Sequence, residues 1–203
     1  MNAGFSSLTA LKKSVIPSAL RSRTDFDDQL VDIGLGVAGM IEGFLGRSLA
    51  WEEGAQEMFP ADQLHFGLSR YPITTLEAVE IQGSGESTWE DITDDAARTE
   101  KAAGLIQFAS LPGSRHDTIR VTFDGGFWWD DSEDASGTLP TGATRLPSAL
   151  KLAWIAQVQA VVEALKLTGP QAATSKDKEQ AAILSAELLP GVKTMLDAFR
   201  RMS

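Results

Sequence analysis

The chain of 203 residues contains no cysteine. That excludes disulfides, thiolate zinc sites and cysteine nucleophiles together. No apolar run approaches the roughly 18 residues that a membrane span needs, so no membrane partner is expected. Only two histidines are present. His65 falls in an alternating, strand-like segment and His116 among turn residues, and neither has a carboxylate or second histidine at ligand spacing. The pattern names no metal site and no catalytic triad. Basic residues are outnumbered, 18 Lys and Arg against 28 Asp and Glu, for a net charge of −10. Such a chain repels phosphates as a whole, so sequence-specific reading of nucleic acid is not expected. An acidic wall past which DNA slides without sticking is compatible with it. The N-terminal "MNAGFSSLTALKKSVIP" lacks the basic start, long apolar centre and small-residue cleavage site of a signal peptide, and synthesis in the cytoplasm is expected.

The composition that remains, 43% hydrophobic and 23% charged, is that of a globular chain able to bury a real core. Ser6 or Ser7 caps a short helix over about 7–16, with Leu8, Leu11 and Val15 on one face and Pro17 ending it. A second helix is predicted over about 25–46. Thr24 and Asp27 form a capping-box-like start, and Leu30, Ile33, Val37, Ile41 and Phe44 or Leu45 recur at helical spacing. Residues 51–127 change to short alternating segments, a β region. Within it Gly83-Ser84-Gly85 joins a strand centred on Ile81 to one bearing Trp89 as a hairpin, and Pro112-Gly113 joins two further strands. Residues 128–145, "WWDDSEDASGTLPTGATR", read as a long exposed acidic loop with partial disorder expected.

A third helix is expected over about 147–168, opened by Pro147, carrying the stripe Leu150, Trp154, Val158, Val161 and Leu165 and stopped by Gly169-Pro170. A polar link over 171–180 then leads to a helix from Ala181 to Leu189. Pro190-Gly191 interrupts it, and it resumes with Val192, Met195, Leu196 and Phe199 on one face.

"DIGLGVAGMIEGFLGR" contains Gly34-x-Gly36-x-x-Gly39, the spacing of a dinucleotide-binding loop. That loop needs a buried strand before it and a βαβ unit after it. Here the helical stripe passes unbroken through the glycines, and the following residues are hairpin material. The preferred reading is a helix whose glycine side, Gly36, Gly39 and Gly43, lets another backbone approach, since each interior glycine costs about 1 kcal/mol relative to alanine. Asp130, Ser132 and Asp134 have a calcium-like spacing but lack the glycine and glutamate of an EF-hand, which favours a solvated acidic loop. Asp124 lies near Phe127-Trp128, where a carboxyl pKa can rise, but no second acid pairs with it. Neither catalytic residues nor a cofactor site can be named.

Trp128 and Trp129 are adjacent at a strand end and cannot both face one core. Either one faces a partner, or both half-cover the edge of the sheet. The final helix, with its apolar face and the basic end Arg200-Arg201, docks in its own bundle or reaches a neighbour.

Several segments together resemble the head-to-tail connector, or adaptor, proteins of tailed bacteriophages and related gene-transfer particles. They are "LTALKKSVIP", "IEGFLGRSL", "LHFGLSRYPI", "VTFDGGF", "LPSALKLAW" and "LLPGVKTMLDAFRR", in that order. The resemblance implies an α+β, mainly helical fold: a small helical bundle with an antiparallel β insertion and a C-terminal helical arm. It divides the chain into a connector core, 1–170, and an arm, 171–203. It also implies a structural, non-enzymatic protein of the virion neck, assembled as a dodecameric ring. That ring would bind the portal protein and a tail or stopper protein and extend the DNA channel. On this reading Gly36, Gly39 and Gly43 are candidates for subunit packing, and Val192, Met195, Leu196, Phe199, Arg200 and Arg201 for portal or neighbour docking. Trp128 and Trp129 are the partner-facing aromatics. The alternatives are a nucleotide-binding oxidoreductase built on Gly34, Gly36 and Gly39, and a monomeric ligand-binding module using the β region.

Overall fold

In a computed structural model, the described residues are 1–132, 134, 136–167, 182 and 186–200. The chain divides into two compact units. A helical unit comprises 1–46, 129–139 and 146–203, and a β unit comprises 47–128 and 140–145.

The helical unit contains α1 (Leu8–Val15), α2 (Asp27–Leu45), α3 (Ser148–Ala164) and α4 (Pro190–Asp197). Ser7 caps α1 by accepting from the Ala10 N–H at 3.3 Å, as its sequence predicts. The start of α2 differs from expectation: Phe26, not Thr24, holds the cap position and makes no side-chain cap bond, while Asp27 and Asp28 still place charge in the first turn. Gly46, at φ 66°, ends α2 in the left-handed conformation that a side chain disfavours. The third helix ends earlier than predicted. Lys166 turns to φ 52° and the Leu167 N–H reaches back to the Val162 carbonyl, closing α3 at Ala164. Gly169-Pro170, the polar link and residues 181 and 183–185 of the predicted Ala181–Leu189 helix lie outside the described residues, and Ala182 is helical. Glu187 to Leu189 are not helical, and Pro190 opens α4 instead of interrupting a helix, because its missing N–H is harmless in a first turn.

Leu11, Leu30, Val37, Ile41, Leu150, Trp154, Val158, Val161, Val192 and Leu196 are buried, so four helices share one core. The N-terminal segment joins it through Ala3 and Phe5. Phe5 lies 5.8 Å from Trp154, centroid to centroid.

The β unit holds a four-stranded antiparallel sheet in the order β1 (Glu52–Pro60), β7 (Thr118–Gly125), β3 (Ile73–Gln82), β4 (Glu90–Asp91). A three-stranded antiparallel sheet is ordered β2 (His65–Gly67), β6 (Leu105–Phe108), β5 (Ala96–Glu100). Both sheets feed one apolar core that includes Phe66, Val79, Ile106, Ile119, Val121 and Phe123. Strand β7 supplies its share by strict alternation, Ile119, Val121 and Phe123 inward. The predicted hairpin is present, pairing Ile81 with Glu90 across β3 and β4. Pro112-Gly113 lies between β6 and β7, which belong to different sheets. Residues 128–145 are not wholly loop, because β8 (Phe127–Trp128) pairs in parallel with β9 (Thr144–Arg145).

The fold is α+β. With about 33% helix and 27% strand among the described residues, the two classes are nearly balanced, and the expectation of a mainly helical protein is corrected. The correction comes from the β region, which folds as two sheets with their own core instead of as hairpins appended to a bundle.

Candidate functional site

Gly34, Gly36 and Gly39 all lie inside α2, and helical backbone both precedes and follows them. A dinucleotide loop would need a strand ending at the first glycine, so the oxidoreductase reading has no structural support. The glycines nevertheless differ. A Cβ on Gly34 would sit 2.1 Å from the Ala3 carbonyl oxygen. The Gly34 carbonyl also accepts from Trp154 Nε1 at 2.9 Å, and Gly4, at φ 107°, passes within 2.7 Å of the same oxygen when given a Cβ. The close backbone approach predicted for α2 therefore occurs at Gly34. At Gly36, Gly39 and Gly43 a Cβ would meet nothing within 4 Å, and all three are exposed. Beside them, Asp32, Ile33, Gly36, Val37 and Met40 line a shallow depression of about 210 Å³. Sequence reasoning missed Gly34, although the signal was there: it stands four residues after Leu30 and three before Val37, on the buried stripe.

The last helix uses most of its apolar face within its own unit. Val192 is 3% exposed and Leu196 fully buried, which withdraws both from any surface offered to a partner. Gln157 of α3 secures the approach: its Oε1 accepts from the Leu189 N–H at 2.8 Å and its Nε2 donates to the Glu187 carbonyl at 3.1 Å. What remains outward is Met195, 48% exposed, with Phe199 half-buried and Arg200 exposed over the Phe44 ring at 5.0 Å. Arg201 lies outside the described residues.

Trp128 and Trp129 are both half-buried. Trp128 stacks under Arg145, 5.2 Å from guanidinium to ring centroid, while Trp129 lies 5.2 Å from Phe5. The acidic turn that follows is internally bonded. Asp130 accepts from the N–H groups of Ser132 and Gly137, and Asp134 from that of Ser136. Hydrogen bonds from the serine hydroxyls, and then from these N–H groups, hold both carboxyls below the usual range. Among the described residues no group of His, Asp and Glu can hold a metal ion, and no helix is long and apolar enough to cross a membrane. His65 lies in β2 and His116 in a turn, and Asp124 accepts from the Gly54 N–H at 2.9 Å.

Three of the segments behind the family resemblance meet in the β unit. Arg47, buried, lies with its guanidinium 3.8 Å from the Tyr71 ring centroid and 5.3 Å from that of Phe127, and donates to the Tyr71 carbonyl at 3.1 Å. The Gly126 N–H donates to the Pro72 carbonyl and the Phe127 N–H to that of Leu49. A Cβ on Gly125 would be 2.7 Å from the Arg70 carbonyl oxygen, and one on Gly126, at φ 100°, 2.5 Å from that of Ala50. "GRSL", "SRYPI" and "DGGF" therefore mark a backbone junction. Their pattern encodes packing.

No protein-family model matches the chain, and no curated protein matches it. Two solved structures share its fold over most of its length. A chain in the neck of an empty GTA particle computed with C6 symmetry gives a TM-score of 0.55 at 16% identity, covering 97% of this chain and 89% of that one. A chain in the virion of a native gene transfer agent (GTA) particle gives 0.61 at 15%, with the same coverage of 97% and 89%. At such identity the likeness is one of fold. These structural neighbours come from a particle neck and a virion, consistent with the head-to-tail connector resemblance of the sequence.

Proposed function

We propose that the chain is a structural adaptor of a tailed, phage-type particle. It forms a ring under the portal protein, extends the DNA channel and presents a docking surface to a tail or stopper protein. The observation that carries this reading is fold likeness along 97% of the chain to chains of a gene transfer agent neck and virion. The ordered sequence segments support it independently, and so does the net charge of −10, which suits a channel that must not hold DNA phosphates. Twelve copies are the expected ring, no catalytic step is assigned, and the mature location is the virion neck after synthesis in the host cytoplasm. The 171–203 segment is proposed as the arm that contacts the portal or a neighbouring subunit. With Val192 and Leu196 buried, its contact rests on Met195, Phe199, Arg200 and Arg201.

The test is to mix the purified chain with its cognate portal assembly and examine the product by sedimentation and electron microscopy. Co-sedimentation with added ring density on the portal is expected. A chain that stays in the supernatant, or binds without ring symmetry, overturns the reading.

A further inference from the structure

Helix α3 lacks a polar face. Its 17 residues include only two charged ones, Lys151 and Glu163. At 100° per residue, Ala149, Leu152 and Ala156 lie within roughly 40° of the line opposite Trp154, on the side turned away from the core. Leu152 is 58% exposed, the most of any large apolar side chain on the four helices among the described residues, and Ile155 near it is half-buried. A helix that is apolar all round is normally buried all round, so this face lacks its cover in the isolated chain. A matching hollow lies on α2. Ile33, Val37 and Met40 wall the depression of about 210 Å³, and Gly36 leaves it open. A cavity of about 150 Å³ accepts the six carbons of benzene, so the hollow has room for the side chain of a leucine.

We propose that Leu152 of one copy of the chain seats in the α2 depression of a second copy. Both halves of the contact are present on this chain, and charge selects how they pair. The one charged residue lining the depression is Asp32, which is exposed, while Lys151 adjoins Leu152. Neither has an ion-pair partner among the described residues. Packing α3 on the α3 of a second copy would set Lys151 against Lys151, and α2 on α2 would set Asp32 against Asp32. Packing α3 on α2 sets opposite charges together instead. The contact then joins two different patches of one compact unit, a heterologous pairing of the kind that closes into rings. Its buried part is uncharged, so it does not depend on attraction between two chains that each carry −10. Their mutual repulsion is screened beyond about 8 Å at physiological salt, and added salt should strengthen the contact. The inference rests on the ring reading above and names a contact for it.

The chain has no cysteine, so single introduced cysteines report the contact without background. Full-length Asp32→Cys copies are mixed with size-tagged Lys151→Cys copies, both in solution at high concentration and on the cognate portal, and oxidised mildly. The mixed disulfide dimer should exceed either self-dimer at least tenfold, and its yield should rise with salt. Leu152→Glu added to the Lys151→Cys copy should lower that yield at least tenfold. Circular dichroism and melting should stay unchanged, because the Leu152 side chain is exposed.

The inference is overturned if the mixed dimer is no more abundant than the self-dimers, if Leu152→Glu leaves it unchanged, or if its yield falls with salt. A more abundant dimer between Asp32→Cys and Met195→Cys copies would assign the depression to the neighbour's last helix and equally overturn it. If rings form on the portal without the mixed disulfide, the ring reading stands and this contact falls. If the wild type builds no ring there, the ring reading fails, and the disulfide between copies in solution decides this contact by itself.

Discussion

Two flanks of α2 put glycine to opposite uses. At 100° per residue, Gly36, Gly39 and Gly43 lie roughly 140–200° around the helix from Gly34. On one flank Gly34 is wedged beneath the Ala3 carbonyl and braced by Trp154; on the other, three glycines face open space. The wedged kind has a parallel in the β unit, where Gly125 and Gly126 admit the Arg70 and Ala50 carbonyls. A glycine that admits a backbone within its own unit has an evident reason to be there. One that admits nothing costs the helix about 1 kcal/mol without return in the isolated chain.

The largest effect should come from Gly126→Ala. Its φ of 100° is poor for any side chain, and the added Cβ would lie 2.5 Å from the Ala50 carbonyl oxygen within a junction of three segments. A stability loss of about 3–4 kcal/mol is expected in urea unfolding, through combined strain and overpacking. Gly34→Ala should cost less, about 2–3 kcal/mol, although its contact is the shorter one at 2.1 Å. The obstructing carbonyl belongs to the N-terminal segment, which relieves the clash by lifting away and exposing Phe5 and Trp154. The sign of that release would be a changed tryptophan fluorescence. A Gly34→Ala protein with unchanged stability and spectrum would end the distinction between the two flanks.

Gln157→Ala probes a polar wedge instead of a glycine one. It removes the acceptor for the Leu189 N–H and the donor to the Glu187 carbonyl, both near buried surface. A loss of about 2 kcal/mol is expected, with faster amide exchange confined to α4. Uniform exchange along the chain would mean that Gln157 does not act locally on that helix.

How much of this the sequence discloses depends on the range of the interaction. The helices were legible because Leu30, Val37, Ile41 and Leu45, and Leu150, Trp154, Val158 and Val161, repeat at a local period. Ser7 was legible as a cap because its partner is Ala10, three residues on. The register of β7 between β1 and β3 was not, since it depends on which distant strands fill Phe123 and Val121 from both edges. The junction at Gly126 was visible only as a recurrent motif. Its cause, the approach of residues 49–51 and 70–72, is non-local. For the same reason the exposed flank of α2 was recognised as small but credited with a contact that Gly34 makes. The C-terminal stripe showed that α4 has an apolar face, but not that Val192 and Leu196 are already buried.

The smallest effect is the most discriminating for the open flank. Gly36→Ala, Gly39→Ala and Gly43→Ala should each raise the stability of the isolated chain by about 0.5–1 kcal/mol, because alanine restricts the unfolded chain and its Cβ meets nothing within 4 Å here. Melting of the three single variants measures this directly, and a loss of stability would show that the flank is not open. The triple variant then separates two origins for the glycines. If a neighbouring subunit packs its backbone there, three methyl groups will hinder ring formation on the portal while stabilising the free chain, so the two measurements move in opposite directions. If the triple variant is more stable and assembles as the wild type does, the flank carries no subunit contact, and the assembly surface must be sought elsewhere, first in the exposed residues of α4.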